Sequence, residues 1–441
     1  MLVLCCVSAC AQREPGPGID VDRALGLVRT LASPRPHDTP AARVALHTIE
    51  DQLTADNIEF DEMRTGTVEL PAIEVLGTSY RQAQSLTVED PDLLVRFGPP
   101  GKALLVMAHY DSVPGSPGAC DNAAAVAILV ELARILHATP PRQPVILAFT
   151  AAEESGLAGA EALATKLGDD IDFAIALDLV GGDGPLVLNG ASTLIGRAEL
   201  GWLHDAAGVA GVELTAPIPH RIVSRWWPQA ERSDHGPFTR RGVRAVHFYN
   251  RGNDGEWIDR AYHSPSDQWP RVHRESVAAV GQLVRALVAS PVPGHTGDGF
   301  WVPLAHVVIP RWLLVALELA LAIVTLLAVA RHRGPRALGA GLLIGASCYV
   351  LALAVAIGIE RVALPAAGAW LLSPLRMTIA SVLVFGGAFG LVTRAAARFW
   401  PWAGVDRYRA FAALACTAVG LMCMVIGAAE IAWVWLVPAV V

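Results

Sequence analysis

Lysine is almost missing from this chain. Its 441 residues hold only Lys102 and Lys166, against 32 arginines. Such a bias suits a GC-rich, bacterial genome and says little about chemistry. Charge is also sparse: 17% of residues are charged, where an average soluble domain has about 25%. A disordered chain is excluded, because disorder needs low hydrophobicity and high net charge. The net charge of −7 disfavours a nucleic-acid partner, which calls for a basic face. Cysteine is scarce where a fold would use it. Of seven, only Cys120 lies in residues 20–290, so no internal disulfide can form there. No internal repeat is visible.

What the chain does hold is apolar residues, 53% of the total, with a mean hydropathy of +0.42. They are unevenly spread. Residues 311–441 carry ten arginines and four acids (Glu318, Glu360, Asp406, Glu430), a net +6. Residues 1–310 carry 24 basic and 37 acidic residues, a net −13. An acidic, soluble-looking part long enough to bury a core therefore precedes an apolar, mildly basic one.

Four apolar stretches in the second part, about 309–330, 337–359, 377–393 and 410–438, match the roughly 20 helical residues that span a bilayer. The apolar segment Val362 to Leu375 contains Pro365 and Pro374 and reads as interfacial or re-entrant. Arg331, Arg333 and Arg336 follow the first span, and Arg394, Arg398, Arg407 and Arg409 follow the third. The positive-inside rule puts both loops in the cytoplasm and the acidic part outside it. A bacterial inner membrane is the expected location. Trp312, Trp400, Trp402, Trp433 and Trp435 sit near span ends, as interfacial aromatics do. Glu318 and Glu430 lie within spans. They read either as a proton or substrate path or as protonated or paired acids, Glu318 with Arg311.

Residues 1–19 read as a residual signal or truncated transmembrane segment, with Val7-Ser8-Ala9-Cys10 resembling a lipobox. The apolar run lacks the basic residues that precede a signal sequence, which favours truncation. Residues 20–290 read as one domain, 291–308 as a linker and 309–441 as the transmembrane domain.

The domain reads as α/β, with a mostly parallel mixed sheet flanked by helices. Helices are expected at about 20–32, 39–57, 123–136, 157–167, 234–240 and 273–289. Extended segments are expected around 58–64, 69–77 and 92–97, and strands at 103–108, 145–149, 173–177 and 243–248. Near-continuous apolar strands imply a sheet covered on both faces.

Sites in open α/β sheets form beyond the carboxyl ends of the strands. His109 and Asp111 come after the first of these apolar strands, Glu153 and Glu154 after the second, and Asp178 after the third. Asp121 precedes a helix and could simply cap it, and His263 lies in a loop. Each has a bland alternative: a surface hydrogen-bonded pair, a cap, a solvated pair. Together they are a zinc ligand set. Five ligands exceed what one catalytic zinc with its water takes and suit two metals sharing a carboxylate. Glu153 and Glu154 diverge, so one can bind metal while the other takes a proton from water.

His109-Tyr-Asp111-Ser-Val-Pro, Gly118-Ala-Cys-Asp121-Asn122, Ala152-Glu153-Glu154-Ser-Gly156-Leu157-Ala-Gly159, Leu177-Asp178 and Tyr262-His263-Ser-Pro-Ser-Asp267 together resemble the M28 zinc peptidases. The blocks occur in order, over about residues 20–290. With the C-terminal spans, the resemblance is to the membrane-anchored group that includes endoplasmic reticulum metallopeptidase and vacuolar membrane protease. It implies two zinc ions per chain, one on His109 and Asp178, the other on Glu154 and His263, with Asp121 bridging. Glu153 would be the general base and Asp111 would orient His109. Ser233-Asp234-His235 resembles the family's block near the substrate pocket, so Asp234 is a candidate there, or else a helix cap. Tyr249 and Tyr262, and less so Tyr110, are candidates to stabilise an oxyanion. Cys120 departs from the family pattern and reads as a packed residue or a further metal contact. Arg225, Trp226 and Trp227 could line a pocket or an interface.

The implied activity is exopeptidase, most simply aminopeptidase, on peptide substrates outside the cytoplasm, with the enzyme tethered to the lipid bilayer. Carboxypeptidase and dipeptidase activities stay open. The alternatives are a glutaminyl-cyclase-like acyltransferase with one zinc, a non-catalytic receptor or scaffold, and a transporter gated by the acidic domain.

Overall fold

The computed structural model describes residues 18–75, 78–189, 195–215, 231–250, 261–295, 299–302 and 307–310, with isolated helical positions up to 327. Two amphipathic helices open it. In α1 (Val21–Leu31) the Asp20 carboxylate accepts the Arg23 N–H at 3.0 Å, and Ala24, Leu27, Val28 and Leu31 form the buried face. In α2 (Pro40–Ala55) the Thr39 hydroxyl accepts the Ala42 N–H, with Pro40 at the first turn. Both starts satisfy amides that a helix leaves orphaned.

The long strands β1 (Asp61–Leu70) and β4 (Gln84–Phe97) pair antiparallel, with the short hairpin β2 (Ile73–Val75) and β3 (Thr78–Arg81) between them in sequence. The segment expected at 58–64 falls largely in β1, which runs on to Leu70; the one at 69–77 divides between the end of β1 and β2; and the one at 92–97 starts at residue 84. A bulge between Arg64 and Gly66 keeps the pairing going.

Then come β5 (Ala103–His109), α3 (Ala124–Ala138), β6 (Val145–Thr150), α4 (Ala158–Leu167), β7 (Ile171–Leu177), β8 (Leu186–Asn189), α5 (Arg197–Ala210), β9 (Leu214–Thr215), a short helix His235–Arg240, β10 (Arg244–Asn250) and a closing helix Arg274–Ala289. The sheet order is β1-β4-β6-β5-β7-β10-β8-β9. The inner four strands, β6, β5, β7 and β10, run parallel, and antiparallel pairs flank them. The expected mostly parallel mixed α/β sheet with flanking helices is what forms. Its parallel part is the centre.

Alternation along these strands builds two cores. Leu104, Val106 and Ala108 pack on the side of α1, α2, α3, α5 and the closing helix, while Ala103, Leu105 and Met107 face α4 and Phe238. That is why β5, β6 and β7 are apolar at almost every position. α3 is buried nearly all round, and its one buried charge, Glu131, is paired. Glu131 accepts Arg23 Nε and Nη2 at 2.8 Å and also bonds Arg134, tying α1 to α3.

Parallel pairing brings strand ends to one edge. His109 lies opposite Thr150, and Met107 opposite Ala176. The residues just beyond β5, β6 and β7 therefore gather in one place.

Two antiparallel strands, β11 (Gly299–Val302) and β12 (Val307–Pro310), occupy the stretch expected to be a linker, and they reach its first apolar span. The β-branched run Val307-Val308-Ile309, stopped by Pro310, suits a strand better than a helix start. Residues 1–17 and nearly all of the four apolar stretches lie outside the described residues, as do Cys10, Glu318, Glu430, Arg225, Trp226 and Trp227. Among the described residues no helix is long and apolar enough to cross a membrane.

Candidate metal centre

The three strand ends and two loops deliver all seven expected residues to one cluster. His109, the last residue of β5, points Nε2 to within 3.3 Å of Asp121 Oδ1 and 3.4 Å of Asp178 Oδ1. His263 Nε2 lies 3.3 Å from Asp121 Oδ2 and 3.0 Å from Glu154 Oε2. Asp121 thus offers one oxygen to each histidine. Two trios result, His109 with Asp121 and Asp178, and Asp121 with Glu154 and His263. Within each trio the ligand atoms lie within 4.8 Å of one another. Glu153 joins a third grouping with His109 and Glu154.

Asp121 is not a helix cap. α3 starts after Ala123 with no side-chain cap, and Asp121 and Asn122 leave helical φ/ψ, with a cis peptide between them. Asn122 Nδ2 donates to the Leu177 carbonyl at 2.7 Å and pins this loop to β7. Gly118 makes the approach possible. Its φ is +61°, and a Cβ there would stand 2.4 Å from the Asp121 carbonyl oxygen. Three non-glycine residues also take positive φ in or beside the cluster: Ala152, Leu179 and His263. Such strain persists only where surroundings over-determine it, and it concentrates at functional sites.

Asp111 is fully buried and does more than face His109. Its Oδ1 and Oδ2 accept the N–H groups of Glu153 and Glu154 at 3.1 and 3.2 Å. The His109 Nδ1 contact at 3.2 Å is to the Asp111 backbone carbonyl, while the carboxylate is 3.5 Å away. The expected orientation of His109 by Asp111 therefore comes mainly through the main chain.

Two contributors have roles that the sequence did not assign. Arg35, buried between Pro34 and Pro36, donates to the carbonyls of Tyr110, Pro117 and Gly118 and clamps the loop leading to Asp121. Asp267 accepts the N–H groups of Cys120 and Asp121. Pro34 and Pro36 around Arg35 signal no more than a turn, and Asp267 closes the motif of His263 with no role read from it.

The pocket candidates separate. Asp234 makes no side-chain cap bond; its Oδ2 accepts the Thr150 hydroxyl, and its buried Oδ1 has no partner among the described residues. Tyr262 stacks on His263 with ring centroids 3.7 Å apart. Tyr249 stacks on His247, which stacks on His235 in turn. His247 Nε2 faces Asp178 Oδ2 at 3.9 Å. Tyr110 is buried with its hydroxyl on the Pro91 carbonyl, away from any oxyanion role. Cys120 is fully buried in the core and belongs to none of the metal-competent trios.

Burial sets the electrostatics. It drives Glu153 well above the usual carboxyl value; His109 opposes this, while Asp178, Glu154 and Asp234 add to it. Burial and Asp121 push Glu154 up to about 7. Burial would raise Asp121 too, but hydrogen bonds with His109 and His263 outweigh it and hold it below the usual range. Burial would lower His263, yet Asp121 and Glu154 bring it up to about 10. Among the described residues, Asp111, Asp121, Glu153, Glu154, Asp178, Asp234 and Asp267 outnumber the cations in contact with them, such as His109, His263 and Arg35. Glu154 Oε1 is buried with no hydrogen-bond partner among the described residues. An acid excess with an orphaned oxygen, beside imidazole nitrogens, fits divalent zinc, which takes nitrogen and carboxylate oxygen.

Residues 94–288 match the family model described as Peptidase family M28. The chain is 30% identical to Aminopeptidase YwaD of Bacillus subtilis over 202 residues, 42% of this chain and 40% of that one. It is 29% identical over 118 residues to the Putative endoplasmic reticulum metallopeptidase 1-A of Caenorhabditis elegans, 26% of this chain and 13% of that one. It is 46% identical over 77 residues to the Vacuolar membrane protease of Candida albicans, 17% of this chain and 9% of that one. The chain spans less than half the length of these curated relatives. Among solved structures it resembles an aminopeptidase from Aneurinibacillus sp. strain AM-1, with 16% identity and a TM-score of 0.49, covering 63% of this chain and 95% of that one.

Proposed function

We propose that this chain, whose residues 94–288 match the Peptidase family M28 model, is a two-zinc exopeptidase, an aminopeptidase acting on peptides. The observation that carries this reading is the pair of trios sharing Asp121. His109 and Asp178 would hold one zinc, Glu154 and His263 the other, and Asp121 both. Bound there, the ions would polarise a scissile carbonyl and lower the pKa of water.

The chain's own residues supply the rest. Glu153 takes a proton from water and delivers it to the leaving amine. Its burial supports this, since a base that must also act as an acid needs a raised proton affinity. Asp111 holds the Glu153-Glu154 turn by its amides. Tyr262 would stabilise a developing oxyanion, a reading supported by its stacking on His263. Asp234, which accepts the Thr150 hydroxyl, would stand on the substrate side.

The enzyme is tethered to a membrane by its C-terminal part, with the catalytic domain outside the cytoplasm of a bacterial cell. The four apolar stretches and their arginine-rich loops support the tether. So do Leu319, Ile323 and Leu327, helical positions four apart that expose 43, 54 and 64% of their surface. An exposed apolar stripe suits a lipid-facing helix.

The test is a panel of aminoacyl fluorogenic peptides against N-blocked counterparts, with zinc counted by elemental analysis. Release from free N-termini only, with two zinc per chain, is expected. Cleavage of blocked peptides alone overturns the aminopeptidase reading. One zinc with cyclisation of N-terminal glutamine turns it to the acyltransferase. Retention of the chain in the pellet after alkaline carbonate extraction tests the tether.

A further inference from the structure

The two trios are built differently. His109 ends a strand held by ladder bonds on both sides, and Asp178 comes directly after another whose register is equally fixed. His263 and Asp121 sit on loops, and Asp121 belongs to a segment that has left helical geometry. Something other than secondary structure must set the distance between them.

Asp267 does so. It lies four residues after His263, in the same loop, and is completely buried. Its Oδ1 accepts the Cys120 N–H at 2.9 Å, and its Oδ2 accepts the Asp121 N–H at 3.1 Å. Its backbone carbonyl accepts the Ala119 N–H at 3.3 Å. Three consecutive amides of the Asp121 loop therefore end on one residue of the His263 loop. The latter is closed on itself, because the Ser264 N–H donates to the Ala261 carbonyl and the Asp267 N–H to the Ser264 carbonyl, both at 3.1 Å. A displacement of Asp267 is thereby passed to His263 and Asp121 together. Hydrogen bonds from amides to a carboxylate are charge-assisted, roughly twice as strong as neutral ones.

We propose that Asp267 is a positioning residue that fixes Asp121 against His263 and so sets zinc affinity at the Asp121–Glu154–His263 position. The inference rests on the two-zinc reading above. Asparagine in its place offers one acceptor oxygen and turns an NH2 group on the second amide. Glutamate keeps the charge and misplaces both oxygens by a methylene. Either change disturbs two of the three ligands at the loop-built position, and one of three at the strand-built position.

The experiment is zinc titration of the purified full chain in detergent, in competition with a chromophoric chelator, for wild type, Asp267→Asn and Asp267→Glu. Partners behind metal ligands are typically worth 10–100-fold in affinity. The expected result is that one zinc equivalent loses about that factor while the other changes much less. A latch with only a structural role would lower the melting temperature of metal-free protein and leave the ratio of the two affinities unchanged. That unchanged ratio in a folded variant overturns the proposal. Should Asp267→Asn lack a native circular dichroism spectrum, Asp267→Glu decides on the same criterion. Wild type that binds fewer than two zinc overturns the two-zinc reading instead, so the two failures are distinguishable.

Discussion

Asp111 and Glu153 meet through the main chain: Asp111 Oδ1 accepts the Glu153 N–H at 3.1 Å, and its Oδ2 accepts that of Glu154 at 3.2 Å. One buried carboxylate thus aims both the proposed base and a proposed ligand. Asp111→Asn can accept only one of these amides. It is expected to lower kcat/KM and zinc affinity together, each by about 10–100-fold. Steady-state kinetics beside a zinc titration checks this, and unchanged values of both would remove Asp111 from the site.

Glu153→Gln keeps the size of the side chain and the Asp111-bound amide but cannot take a proton. Zinc content should stay at the wild-type level while kcat falls by about 10²–10⁴-fold, the usual worth of a positioned general base. Elemental analysis and single-turnover hydrolysis give both numbers. Retained hydrolysis would assign the proton transfer elsewhere.

Asp121→Ala should be more severe in metal than in fold. Asp121 offers an oxygen to each trio, so its loss removes a ligand from both. Zinc should fall toward zero per chain after dialysis, and the secondary structure seen by circular dichroism should remain. Two full zinc equivalents in this variant would refute the bridging role.

The residues of the cluster were readable because each stands at the end of an apolar strand or lies in a short motif. Parallel pairing of β5, β6 and β7 then brings the residues at their carboxyl ends together. Asp267 shares the motif of His263, but its role and that of Arg35 were not readable in the same way. Their work is done on backbone groups of the 110–121 loop, 147 residues from Asp267 and 75 or more from Arg35, and main-chain hydrogen bonds leave no residue-type signature. β8, α5 and β9 also escaped. β8 is four residues long, and Gly201 and Gly208 interrupt α5, where each glycine costs about 1 kcal/mol of helix propensity relative to alanine.

Asp92 gives a pH test that does not involve the proposed ligands. It lies on β4, fully buried, with Oδ1 accepting the Ala151 N–H at 2.8 Å and Oδ2 without a partner. Burial raises its pKa to about 8; the Ala151 amide opposes the shift, and Asp234 adds to it. The unfolded chain loses this proton near pH 4 and the folded chain near pH 8. Between those values the unfolded state binds fewer protons, so the Asp92 contribution to stability falls as pH rises. It is fully present below about pH 4 and lost by about pH 8. Asp92→Asn keeps an acceptor for Ala151 and has no proton to lose. Melting temperatures of both proteins at pH 5, 6.5 and 8, with chelator present throughout, should therefore diverge. Wild type should decline more steeply, and the variant should gain on it by up to about 1.4 kcal/mol per pH unit. Parallel declines would mean that Asp92 is already ionised in the folded protein at pH 5.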